Sequence, residues 1–357
     1  MARVALVFGG RSVEHQVSLR SARTIARALA TAGHEVVPLG IALDGSWLDG
    51  ATSAAALAGN VEALEPPECC GKPPFALLRD DVDAVFPIVH GTWGEDGTLQ
   101  GFFEILDLAY VGAGVAASAV AMDKALTKRL LAAAGLPVVD CELVTARELA
   151  ADRPACLARA RRLPLPVFVK PSVGGSSVGV RKVVAEADLG GALEFAMRFD
   201  DVVLVERGVA GRELECAVLG YEELAASAVG EIVPGREFYD YADKYLEDRA
   251  GLLAPAPLPE PLAERVRALA IAAFAAIGGH GMARVDFLLE GEDGLFVNEI
   301  NTLPGFTDIS MYPRLWGLAG VPLPELVDRL VGIARRRHAD RRRLNEGIRE
   351  FVASLRR

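Results

Sequence analysis

The sequence lacks the marks of several protein classes. No apolar run in its 357 residues reaches the roughly 20 residues that span a bilayer, so no membrane partner is expected. Its first residues lead straight into a strand-like stretch, Arg3–Phe8. No secretory leader is therefore expected, and the location read from it is cytoplasmic. The five cysteines (Cys69, Cys70, Cys141, Cys156 and Cys216) form no CxxC pair and no Cys/His metal spacing, which suits reduced thiols. Cys141 and Cys216 sit in strand-like runs and are expected to be buried. Positive charge is also short. A formal net charge of −10 argues against nucleic acid as a partner, while leaving room for a local basic pocket. Two nucleotide fingerprints are missing. GGRSVE lacks the third glycine of GxGxxG, and no GK[ST] follows the later stretch PSVGGSSVGV.

What is present describes a globular protein of two or three domains, with 51% hydrophobic and 24% charged residues. The most informative stretch is ARVDFLLEGEDGLFVNEINTLPGF, residues 283–306. Ala283–Leu289 and Leu295–Asn301 alternate as strands do, and Glu290–Gly294 between them carries turn chemistry. Folded as a hairpin, they set Asp286 opposite Glu299 and Arg284 opposite Asn301, all on one face. Two bare carboxylates about 5 Å apart repel by several kcal/mol, and a divalent cation removes that cost. Oxygen donors from Asp, Glu and Asn suit Mg²⁺ shared with phosphates, and Arg284 suits a phosphate or an oxyanion. The competing reading is an exposed hairpin with a structural Arg–Asp pair.

Other stretches carry weaker signals. The pattern from Val4 to Leu39 reads as strand, helix and strand, with Glu14 in the turn beyond the first strand. There it could hold an ammonium or simply flank a helix N-terminus. His90, at the end of the strand Val82–Val89, opens the glycine-rich HGTWGEDGTLQG and is read as either structural or functional. Ser118 is expected to cap a helix Met122–Ala134. Lys124 and Lys128 lie one turn apart on it, reaching an anion or only solvating a face. Lys170 precedes the Ser/Gly-rich tip, which is either a phosphate cover or a surface hairpin. Glu206 ends the strand Val202–Glu206, where a base or ribose would pass, and Glu213 opens a third sheet. The polar, tyrosine-rich segment 231–252 reads as a loop that folds over something, with Lys244 as its cation. The arginine-rich tail, with Leu344, Ile348, Phe351 and Leu355 at helical spacing, reads as an amphipathic helix with a solvated basic face.

Seven motifs in order resemble the D-alanine–D-alanine ligase family of the ATP-grasp superfamily. They are EHQVS (Glu14–Ser18), HGTWGEDGTLQG (His90–Gly101), YVGAGVAASAVAMDK (Tyr110–Lys124), VKPSVGGSSVGV (Val169–Val180), FYDYADKY (Phe238–Tyr245), ARVDF (Ala283–Phe287) and NEINTLPGFT (Asn298–Thr307). The resemblance runs from Val4 to about Leu330, leaving the arginine-rich tail outside. Gln16, Ala113, Val173-Gly174 and the absence of a proline before Tyr110 depart from the common pattern, and none removes a catalytic group.

The resemblance implies an α/β chain with an α+β C-terminal part, folded as three-domain ATP-grasp proteins are. An N-terminal open parallel sheet (1–114) would precede central (115–206) and C-terminal (207–335) domains containing antiparallel sheets. ATP would lie between those two, under a lid loop at 231–252, with a basic helical tail at 336–357. It implies ADP-forming ligation of two D-alanines through an acyl phosphate, for peptidoglycan precursors. Lys124, Lys170 and the tip serines Ser176 and Ser177 would meet ATP phosphates, and Glu206 and Glu213 the adenosine. Asp286, Glu299 and Asn301 would hold two Mg²⁺ (or Mn²⁺) ions. Glu14 would bind the first ammonium, Ser310 the second carboxylate, and His90 would lie by the carboxylate being activated. Arg284 and the Gly305 backbone would stabilise the oxyanion. Ser176, Tyr245 and Glu14 would form a hydrogen-bonded trio, and Lys244 would sit by the transferred phosphoryl group. A homodimer is expected. The alternatives are a ligase taking D-serine or D-lactate second, or a non-catalytic nucleotide-binding regulator. The last would be expected to lose Lys170, Asp286, Glu299 or Arg284, and all four are present.

Overall fold

The computed structural model describes residues 1–59, 64–65, 78, 82–233 and 251–355. Strands β1 (Arg3–Gly9), β2 (Glu35–Ile41) and β3 (Ala84–Pro87) form a parallel sheet in the order β2-β1-β3. Val4–Phe8 is buried without a break, as a strand covered on both faces must be. Gly9 ends β1 at φ +93°, and a Cβ there would fall 2.1 Å from the Ile41 carbonyl oxygen, so the turn into the helix His15–Thr31 requires glycine.

The second sheet is small and antiparallel. Its strands β4 (Cys141–Thr145), β5 (Val167–Pro171), β6 (Arg181–Val183) and β7 (Val202–Arg207) lie in the order β4-β7-β5-β6. The third contains β8 (Gly211–Gly220), β9 (Leu224–Val233), β10 (Gly251–Leu253), β11 (Gly281–Glu290) and β12 (Gly294–Asn301), in the order β10-β9-β8-β11-β12. Val285, Phe287 and Leu289 of β11 alternate into a core shared with Val266, Ala270 and Phe274 of the helix Glu260–Ala276. Each such large apolar side chain contributes ~1.5–3 kcal/mol by leaving water. The opposite face of β11 is thereby left to Arg284, Asp286 and Glu290. The Arg207 guanidinium at the end of β7 meets both oxygens of Glu290 at the end of β11, at 2.7 and 3.1 Å, tying the second sheet to the third.

Several expectations need correction. The helix expected at Met122–Ala134 is two helices, Val115–Met122 and Lys124–Ala133. Asp123 breaks them and caps the second, accepting from the Ala125 and Leu126 N–H groups at 3.0 Å each. Ser118 is buried inside the first helix and caps nothing. The segment 231–252 is narrower than a loop of that length. Glu231–Val233 completes β9 and pairs with Gly251–Leu253, and 234–250 lies outside the described residues. Cys216 is buried as expected, whereas Cys141 is only half-buried.

The tail is helical with most of its arginines exposed, as read, but one of them departs from the solvated face. The helix Leu323–Ser354 runs unbroken through the boundary expected at 335. Its Leu326, Leu330 and Val331 join the core of the first sheet. Arg337, expected on a solvated face, is buried. Its guanidinium donates to the Gly112 carbonyl at 3.0 Å and lies 4.1 Å over the Tyr110 ring. Arg341 and Arg342 pair with Glu104 and Asp107 of the N-terminal part. Only farther along do Leu344, Ile348, Phe351 and Leu355 stand exposed on the helix.

Candidate active site

The hairpin register is the one the sequence predicts, Asp286 opposite Glu299 and Arg284 opposite Asn301. The turn alone does not produce it. Near the turn Glu290 faces Gly294 and Phe287 faces Val297, and continuing that count would set Asp286 against Asn298. A bulge between Asp286 and Phe287 absorbs Asn298 and brings Glu299 into place. On the other side of β11, Asp286 faces Glu215 of β8. Paired residues on adjacent strands point the same way, so three strands deliver Glu215, Asp286 and Glu299 to one face.

Arg284 lies among them. Its Nε and Nη2 donate to the two oxygens of Asp286 at 2.7 and 2.6 Å, and Nε is 3.1 Å from Glu215 Oε1. Burial alone would lower the pKa of this guanidinium. The attraction of Asp286, Glu215 and Glu299 outweighs it and holds Arg284 well above its usual value. On this wall one guanidinium faces three carboxylates, and Lys170 of the facing wall acts on Glu299 as well. Among the described residues no three Asp, Glu, His or Cys side chains close into a ready-made metal cage. Asp286, Glu299 and Asn301 instead offer two carboxylates and a carboxamide, a donor set that suits Mg²⁺ completed by phosphate oxygens and water. The Asn301 carboxamide oxygen is oriented by accepting from the Leu303 N–H at 3.0 Å.

The facing wall is basic. Phe168, Lys170 and Glu206 share a face of the second sheet, because Glu206 pairs with Phe168 and Lys170 lies two residues on. Lys170 Nζ reaches one oxygen of Glu206 at 2.5 Å and Lys128 Nζ the other at 2.5 Å. This carboxylate, expected to meet a base or ribose, is held by two lysines. Burial would raise its pKa, and Lys170 and Lys128 together bring it below the usual value. Lys124 opens its helix and donates to the Gly174 carbonyl of the Ser/Gly-rich tip at 2.5 Å. In that tip Ser176 and Ser177 both take positive φ, 51° and 57°, at a cost of roughly 1–3 kcal/mol each. Ser176 Oγ donates to Glu14 Oε1 at 2.6 Å, so the tip of the second sheet closes onto the first.

The third side comes from the N-terminal part and the segment after β12. His90 Nδ1 lies 3.0 Å from the Leu303 carbonyl, and its Nε2 is 3.5 Å from Ser21 Oγ, which accepts from the Phe306 N–H at 3.1 Å. Burial lowers the His90 pKa, against an opposing pull from Glu14. Ser310 Oγ accepts from the Thr307 N–H at 2.9 Å. A Cβ on Gly305 would stand 2.8 Å from that hydroxyl, so a larger residue here would push Ser310 away.

Glu14, His90, Ser176, Arg284, Glu299, Asn301, Gly305 and Ser310 line one cleft of about 1230 Å³. Lys124, Lys170, Ser177, Glu206, Glu213 and Asp286 line a second chamber of about 410 Å³ that shares Ser176, Glu215, Arg284 and Glu299 with the first. Every predicted site residue within the described part therefore borders this pair of chambers. Lys244 and Tyr245 lie outside the described residues. Sequence reasoning passed over two groups, Glu215 and Glu95, and weighed Lys128 as an anion contact without assigning it a role. Glu215 is two residues from Glu213 on the same strand face. Lys128 is one turn from Lys124. Glu95, in the glycine-rich loop, accepts from the Gly91 N–H at 2.8 Å, and burial and the Glu14 carboxylate push its pKa well above the carboxylate range.

Two antiparallel sheets facing each other across an acid-and-base cleft, with a parallel-sheet domain closing one side, define an ATP-grasp enzyme. Comparison with known proteins narrows the class. Residues 3–113 match the family model described as D-ala D-ala ligase N-terminus, and residues 130–332 match D-ala D-ala ligase C-terminus. A D-alanine–D-alanine ligase of Solibacter usitatus is 46% identical over 337 residues, covering 94% of this chain and 96% of that protein. One from Mycolicibacterium smegmatis is 47% identical over 360 residues, covering 93% and 95%. The solved D-alanine-D-alanine ligase from Coxiella burnetii superposes with a TM-score of 0.84 at 37% identity, covering 99% of each chain. The VanG D-Ala:D-Ser ligase from Enterococcus faecalis superposes at 0.80 with 32% identity, covering 93% of this chain and 99% of that one. The chain belongs to the D-alanine–D-alanine ligase family.

Proposed function

We propose that this protein uses ATP to join two D-alanines into D-alanyl-D-alanine for peptidoglycan precursors, releasing ADP and phosphate. The observation that carries this reading is the face shared by Glu215, Arg284, Asp286 and Glu299. It borders both chambers, so a phosphate in one and a carboxylate in the other meet at the same guanidinium. The carboxylate of the first D-alanine takes the γ-phosphoryl group of ATP, and ADP leaves. The amine of the second attacks the resulting acyl phosphate, its C–N bond forms, and phosphate departs with the C–O bond pair.

The residues mainly position reactants and balance charge. Glu14, held by Ser176, binds the first ammonium. Ser310 takes the second carboxylate. Arg284 and the Gly305 N–H meet the oxyanion. Lys124 and Lys170 meet phosphate oxygens, with Ser176 and Ser177 above them and Glu206 and Glu213 bordering the nucleotide. Lys244 and Tyr245 are assigned to the transferred phosphoryl group and to the Ser176–Glu14 contact. Asp286, Glu299 and Asn301 would hold two Mg²⁺ ions, which neutralise phosphate charge. The working form is taken to be a cytoplasmic homodimer of three domains (1–114, 115–206 and 207–335). No helix among the described residues is long and apolar enough to cross a membrane.

The test is phosphate release from Mg·ATP with D-alanine alone, with added D-serine, with added D-lactate, and with L-alanine, at several pH values. Release should occur with D-alanine alone. Release only when D-serine or D-lactate is present would move the activity to the corresponding relative. Equal release with L-alanine would sink the stereospecific site.

A further inference from the structure

Glu206, Lys128 and Lys170 form a buried group of three charges, and the two lysines are not equivalent. The side chains of Glu206 and Lys128 are 4% and 5% exposed, while Lys170 is 13% exposed. Lys170 borders the 410 Å³ chamber, which Lys128 does not. Lys128 points inward instead, with the Val139 carbonyl 3.4 Å from its Nζ as a further acceptor. It stands on the helix Lys124–Ala133, whose first turn is fixed by Asp123 and Ser172, the Ala125 N–H lying 3.1 Å from Ser172 Oγ. Lys170 can thus turn toward a ligand in the chamber, and Lys128 cannot.

Consider what Lys170 leaves behind when it turns. If it were the sole partner, Glu206 would be stranded as a buried carboxylate, which is costly. The site would then resist the movement, or Glu206 would take up a proton.

We propose that Lys128 is a positioning residue, a fixed counter-ion that keeps Glu206 paired while Lys170 exchanges it for a phosphate oxygen. The proposal rests on the reading of this chamber as the nucleotide site. Lys128 never touches the nucleotide; it sets how readily Lys170 can. Its loss acts on nucleotide binding and leaves the D-alanine side alone.

The experiment is calorimetric titration of the full chain with Mg·ATP, in buffers of differing ionisation enthalpy near pH 7. Wild type, Lys128→Met and Lys128→Arg are compared, with KM for D-alanine measured alongside. Lys128→Met should bind about tenfold or more weakly, with up to about one proton taken up per nucleotide as Glu206 is neutralised. Wild type should take up none, Lys128→Arg should restore both properties to within about threefold, and KM for D-alanine should hold in all three. Binding by Lys128→Met within threefold of wild type, without proton uptake, would overturn the proposal.

Should Lys128→Met not fold, Lys128→Met/Glu206→Gln leaves no unpaired carboxylate and is compared with Glu206→Gln. Equal affinity supports the counter-ion role, and a further loss in the double variant refutes it. Failure of the unaltered chain to bind Mg·ATP would remove the nucleotide site and this proposal with it. Normal binding by Lys128→Met would remove this proposal only.

Discussion

The wall built from β8, β11 and β12 holds Glu215, Asp286 and Glu299 around one guanidinium, that of Arg284. The wall built from β5, β7 and the helix Lys124–Ala133 holds Lys128 and Lys170 around one carboxylate, that of Glu206. Each surplus is only partly balanced by one embedded charge of the other sign. A metal nucleotide would bring a cation to the acidic wall and an anion to the basic one. The walls differ in how they are held. The acidic side chains are placed by ladders across three adjacent strands. On the basic side a long lysine and a tip held by the Ser176 hydroxyl and by Lys124 carry the contacts. The first is suited to act as a template and the second as a clamp.

The sharpest way to break this contrast is to remove charge from the template. Glu299→Gln keeps the shape and the strand pairing but takes away one of two carboxylates offered to the metal. Ligation should fall by about 10³ or more, since metal and phosphate placement carries most of this class of catalysis. The far-ultraviolet spectrum and melting temperature should stay near wild type. Turnover at the wild-type rate would end the metal assignment.

Arg284→Met tests the other half of the same wall and should combine two losses. An oxyanion donor disappears, worth about 10²–10³ in kcat. Asp286 and Glu215 lose their shared partner, which costs on the order of 3–5 kcal/mol of stability unless added Mg²⁺ takes its place. Thermal melts with and without Mg²⁺ separate these losses. A stability loss indifferent to Mg²⁺ would mean that the wall does not recruit cations.

How much of this contrast could be read from the sequence depends on the wall. The template was legible because ARVDF and NEIN alternate, and alternation fixes which side chains share a face. Even there the pairing of Asp286 with Glu299 depends on Asn298 bulging out, and no residue in the turn announces that. The clamp was far less legible. Lys128 looks like any surface lysine on a short helix. Only the docking of that helix against the third sheet's core, with Leu131 packed there and Lys128 meeting Glu206 of β7, buries it, and no local pattern carries that direction. The break at Asp123 was missed because VAASAVAMDKALTKRLLAAA keeps helical propensity throughout, and the cap is supported by Ser172, which lies just past the end of β5. Arg337 was misread for the same reason, since its partners Tyr110 and Gly112 lie more than 200 positions earlier.

The smallest expected effect probes the hydroxyl on which the clamp closes. Ser176→Ala removes the donor to Glu14, a hydrogen bond to a charged group of the kind worth ~1.5–3 kcal/mol. Water in the cleft can replace part of it, so a loss of about tenfold in kcat/KM for D-alanine is expected, with a smaller rise in KM for ATP, whose chamber Ser176 also borders. Ser176→Gly serves as the control. It too lacks the hydroxyl but relieves the positive φ of 51°. If the two variants behave alike, the hydroxyl matters and the backbone strain does not. If Ser176→Gly alone recovers activity, tip closure depends on backbone conformation. An equal rise in KM for ATP and for D-alanine would show that the tip serves both chambers alike, removing the division of labour between a clamp that meets substrate and a template that meets metal.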